Sequence, residues 1–70
     1  MNGHKNWEYW NVSLWLFNDE GLYRSMLSAA KGRALTDAVR IMLSELPTST
    51  PDGAAYTFDN VKAAMSEIED

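Results

Sequence analysis

The sequence predicts an all-α domain, a compact bundle of about four short helices, on three observations. Three stretches carry apolar residues at helical spacing, a fourth is apolar on every side, and no second segment offers a strand for pairing. With 70 residues and no cysteine, the chain has room for one small domain that must be held by packing rather than by disulfides or thiolate metal sites. Residues 1–70 are therefore read as a single helical unit.

Residues 7–17, WEYWNVSLWLF, give the first helix: Trp7, Tyr9, Trp10, Val12, Leu14, Trp15, Leu16 and Phe17 surround the whole helical wheel. A helix apolar all round belongs in the interior, so it is expected at the centre of the bundle, with at least two of its three tryptophans in the core. A strand is the alternative, because Trp10, Val12, Leu14 and Leu16 alternate with Asn11, Ser13 and Trp15 in an aromatic-rich stretch. Asn11 stands out within it, since a buried amide requires a specific partner.

The second helix follows from Leu22, Tyr23, Met26, Leu27, Ala29 and Ala30, which share one arc with Arg24, Ser25, Ser28 and Lys31 opposite. Asn18 or Asp19 is suited to cap its start, Glu20 favours the dipole of its first turn, and Gly32 marks its end. In the third, Leu35, Ala38, Val39, Met42, Leu43 and Leu46 share an arc that Pro47 stops. Residues 47–57, PTSTPDGAAYT, form a long loop in which Pro51-Asp52-Gly53 signals a turn. Phe58, Val61, Ala64, Met65 and Ile68 then define the fourth helix, capped by Thr57 or Asp59, with Glu69 and Asp70 expected to fray because acids oppose the dipole at that end.

A chain of this size buries only roughly 60% of its unfolded surface, which leaves little interior for both a core and a deep pocket, so an ordinary enzyme is disfavoured. The lone His4 cannot build a histidine metal cluster, and no triad, phosphate loop or dinucleotide fingerprint is visible; no catalytic residue, metal or cofactor is expected. The apolar run at residues 7–17 falls far short of the ~20 residues needed to span a bilayer, and residues 1–5 carry no secretory pattern, so a cytoplasmic protein is expected.

Charge is uneven along the chain. Residues 1–44 hold five basic and four acidic side chains, a balance of +1, whereas in residues 45–70 six acids face only Lys62, a balance of −5. Such an acidic half suits a basic or neutral protein partner better than bare nucleic acid. The residues picked as partner-binding are Asp59, Glu67, Glu69 and Asp70, together with Tyr9 and Glu20.

Residues 6–23, from Asn6-Trp7-Glu8 through Asn18-Asp19-Glu20-Gly21-Leu22-Tyr23, resemble a small domain family encoded largely by bacteriophages and mobile elements. Its recurrent phrase is N-W-E-x-W-N-V-x-L-W-x-x-N-D-E-G-L-Y, and Thr50-Pro51-Asp52-Gly53 is similar to a second element of that family. Tyr9 departs from the pattern, which usually has threonine there. The resemblance implies a phage or mobile-element accessory protein and carries no enzymatic activity or functional residues with it.

The leading expectation is thus a non-enzymatic protein that binds and inhibits a host defence or nucleic-acid-processing complex, as anti-CRISPR proteins do, through a charged and aromatic surface. One alternative is a structural or regulatory homodimer assembled through the tryptophan-rich first helix. Another is a small DNA-binding regulator using Arg24, Lys31, Arg33 and Arg40.

Overall fold

In a computed structural model that describes residues 3–68, with side chains from Trp7 onward, the chain folds into four helices and a closing helical turn. They are α1 (Gly3–Asn18), α2 (Glu20–Ala30), α3 (Leu35–Glu45) and α4 (Phe58–Met65), which tightens into a 3-10 turn over Ser66–Ile68. The expected four-helix, all-α architecture is the one observed, and residues 7–17 are helix rather than strand. His4, Glu69 and Asp70, on which some of the expectations above rest, lie outside the described side chains.

Local chemistry sets the helix ends. Asp19 adopts extended backbone and its carboxylate accepts the Leu22 N–H at 3.0 Å, so only one residue separates α1 from α2. Gly32 takes φ +72°, a left-handed conformation that ends the second helix without strain. Thr57 caps α4 by accepting the Asn60 N–H at 3.0 Å. The 47–57 loop is more ordered than its composition suggests. Ser49 and Ala55 form an antiparallel bridge, supported by hydrogen bonds from Thr50 N–H to the Ala54 carbonyl (2.8 Å) and from Tyr56 N–H to the Thr48 carbonyl (3.0 Å). Gly53, at φ +101°, makes the turn between them.

The helices pack as a ring: α1 lies against α2 and α4, and α3 lies against the same two. The core takes Val12 and Leu16 from α1, Met26 and Ala29 from α2, and Ala38, Val39 and Met42 from α3. Ala54 and Tyr56 of the loop and Val61, Ala64 and Met65 of α4 complete it. Ile41, off the main arc of α3, is half-buried against this cluster.

Burial of α1 is one-sided, which corrects the expectation for its tryptophans. Trp7 and Trp10 are 40% and 55% exposed and Trp15 is half-buried, so none of the three belongs to the core. The reason is space. Four buried alanines let the elements approach closely, and the remaining volume is filled by methionines, whose flexible side chains fit gaps that a rigid indole cannot enter. Val12 and Leu16 supply the buried stripe of α1 instead.

Candidate interaction surface

The side chains picked out in the sequence fall into three environments. Asp59 stands exposed in the first turn of α4. Glu67 is also exposed, but its carboxylate accepts a hydrogen bond from the Tyr9 hydroxyl of α1. Tyr9, half-buried, keeps its proton more tightly than a free tyrosine: the hydrogen bond to Glu67 is the main cause, followed by burial and the charge of that carboxylate. Glu20 is spent on Arg24 in an i,i+4 ion pair of 2.7 Å on the exposed side of α2. The structure thus brings Tyr9 and Glu67 together and leaves Asp59 and Glu20 apart from them in the chain's local chemistry.

Among the described residues, Glu20–Arg24 is the one ion pair, so Asp59 and Glu67 have no cationic partner there. Of the basic residues, Arg24 is held by Glu20, and Arg33 donates to the carbonyls of Ala29 (3.1 Å) and Ser28 (3.4 Å) at the end of α2. Both guanidiniums therefore have structural partners, whereas Lys31 and Arg40 are simply exposed. Between α2 and α3 an open groove of about 430 Å³ is lined by Arg24, Ser25, Ser28, Arg33, Ile41 and Glu45. Its charges are of both signs, so it presents no field that selects one class of ion.

A polar junction that the sequence only hinted at ties the 47–57 loop to α1. Asn11 is 2% exposed, and its amide donates to the Asp52 carboxylate at 2.9 Å. The Asn11 carbonyl accepts the Thr50 hydroxyl at 2.6 Å, and that hydroxyl in turn accepts the Ala54 N–H at 3.0 Å. Trp15 donates its indole N–H to the same Asp52 oxygen at 3.0 Å, which explains why its ring stays at the rim of the bundle. A second link runs from the Asn60 amide to the Ala55 carbonyl (3.0 Å) and to Glu8 (3.5 Å). Among the described residues no buried side-chain polar atom is left without a partner.

The two stretches that carry the family resemblance, residues 6–23 and 50–53, meet at this junction. Asn11 has the specific partner its burial demanded, and the turn signal at Pro51-Asp52-Gly53 supplies it. Only the pairing across 41 residues was hidden. Hydrogen bonds from Asn11 and then Trp15 hold the Asp52 carboxyl below the usual carboxylate range, against a small opposing effect of burial. The folded state thus binds this proton less well than the unfolded chain. The stabilisation is fully present above the ordinary carboxylate range and is lost as pH falls through the lowered value. Urea unfolding of the wild type and of Asp52→Asn, followed from neutral to acidic pH, is expected to show the stability difference between them shrinking with acidification. A difference that stays constant would mean that the charge on Asp52 contributes nothing.

A further part of the surface is apolar. Trp7 and Trp10 stand on the open side of α1, and Tyr23 and Leu27 are exposed on α2. Phe17 connects the two sets, its ring centroid 5.9 Å from that of Tyr23. Among the described residues no helix is long and apolar enough to cross a membrane. Over residues 1–70 the sequence matches the model of a family described as a family of unknown function, DUF7249. No curated protein and no solved structure matches it.

Proposed function

Since the chain belongs to the DUF7249 family, which brings no activity with it, we propose a function from surface chemistry: a non-enzymatic accessory protein that binds a host protein complex and blocks it. The target class is a bacterial defence or nucleic-acid-processing complex with a positive channel, met in the cytoplasm. The resemblance of residues 6–23 and 50–53 to phage and mobile-element domains supports that origin. One observation carries the reading: Asp59 and Glu67 are exposed on α4 and its closing turn, without a cation in ion-pair reach among the described residues. Their helix is anchored by Val61, Ala64 and Met65 in the core, so the acids are displayed from a rigid support. An inhibitor of this kind needs a complementary surface and no catalytic group.

The test is retention of the target complex from bacterial lysate at two salt concentrations, with the double variant Asp59→Asn, Glu67→Gln as control bait. Glutamine still accepts the Tyr9 hydroxyl, so the variant removes charge and keeps the fold. Retention that weakens with salt and drops at least about tenfold in the variant is the expected result. Equal capture by both baits would overturn the acidic surface as the contact.

A further inference from the structure

The open side of α1 has a regularity beyond being apolar. Trp7, Trp10, Leu14 and Phe17 follow one another at intervals of three, four and three residues, which is the spacing of a seam that receives another helix. Trp7 and Trp10 are exposed, and Leu14 and Phe17 are half-buried. We propose that this seam, continued by Tyr23 and Leu27 of α2, is the two-fold interface of a homodimer. The proposal concerns a different face from the acidic one and stands independently of any host target.

Charge selects a second copy as the occupant. A two-fold interface sets each patch against itself, so a patch with net charge repels its copy, whereas a neutral one does not. Residues 7–18 contain a single charged side chain, Glu8, and it is turned toward Asn60 of α4. The seam is flanked by Ser13 and Asn18, both uncharged. Glu67 is drawn to Tyr9, about 100° round the helix from Trp10. On the α2 continuation Glu20 and Arg24, exposed beside Tyr23 and Leu27, neutralise each other in their ion pair, so the face offers no unpaired acid to a basic partner among the described residues.

Area points the same way. Trp7 and Trp10 leave 40% and 55% of their surfaces open, and Tyr23 and Leu27 leave 36% and 41%. Taking roughly 250 Å² for a tryptophan and less for the others, the patch offers about 400 Å² of apolar surface. With the polar rim that interfaces carry, this corresponds to about 650 Å² per subunit, or about 1,300 Å² in total. Stable dimers bury ~1,200–2,000 Å², so the seam reaches the lower end of that range. A domain of this length without disulfides is also one that gains most from association, because its own core is small.

Sedimentation equilibrium over about 5 to about 500 µM, with tryptophan emission recorded in parallel, tests the assignment. The wild type is expected to form a reversible dimer, its emission shifting to the blue as Trp7 and Trp10 leave water. Trp10→Glu is expected to weaken dimerisation by at least ~30-fold with helical circular dichroism unchanged. Trp7→Gln, a milder change on the same seam, serves if that variant loses its fold. A wild type that stays monomeric throughout, or that assembles beyond a dimer, overturns the proposal. So does a folded seam variant that dimerises as the wild type does.

Discussion

Asn11→Asp is expected to cost about 3–4 kcal/mol at neutral pH although it changes one atom of the side chain. The native amide is oriented by its partners: the Asp52 carboxylate can only accept, so the amide nitrogen faces it, and the Thr50 hydroxyl donates to the other side. An aspartate at position 11 would place a buried carboxylate against that of Asp52, with the amide N–H donor between them lost. The folded pair then holds a proton at a pH where the unfolded carboxyls have lost theirs. By linkage the variant gains stability relative to the wild type as pH falls through the raised value. Urea unfolding at neutral and mildly acidic pH reads both effects. A variant within about 1 kcal/mol of the wild type at neutral pH would show that the junction is not what holds the loop to α1.

Leu16→Ala is expected to lose about 3 kcal/mol, whereas Trp10→Ala at concentrations too low for association should change stability by less than about 1 kcal/mol. Leu16 is fully enclosed among the methionines and valines of the core, and its removal leaves a cavity that the surrounding helices can only partly close. Trp10 is the larger side chain, but more than half of it already faces water. A domain of this length has a total stability of about 3.5–10 kcal/mol, so the leucine variant would keep only a marginal fold. Thermal melts of the two variants against the wild type decide the matter. A tryptophan variant that melts lower than the leucine variant would contradict the core as described.

These two residues also mark where the sequence is informative. Helices α2, α3 and α4 could be read from it because each has one apolar arc. Asp19, Gly32 and Thr57 could be assigned to helix ends because capping is decided within a few residues. For α1 the wheel is apolar at every angle, so periodicity cannot say which stripe wins the interior. That is a competition for volume with Met26, Met42 and Met65, which sit on other helices. The same holds for the candidate surface. Asp59 is exposed as a helical pattern predicts, but Glu67 is engaged by Tyr9 across 58 residues, a contact no local rule contains. Asn11 announced that a partner was needed. Its identity depended on the bridge between Ser49 and Ala55, which aims Thr50 and Asp52 at α1.

The contact between Tyr9 and Glu67 has a topological consequence. It brings α1 and the turn that closes α4 side by side, so the four helices form a closed circuit of neighbours. In such a circuit the order of the helices matters less than their neighbours. The segment from Lys31 to Ala34, exposed and tied mainly back to the end of α2, is where a break in the chain would leave each helix its neighbours. The 47–57 loop offers no such freedom, because a break there would undo the junction that closes the ring.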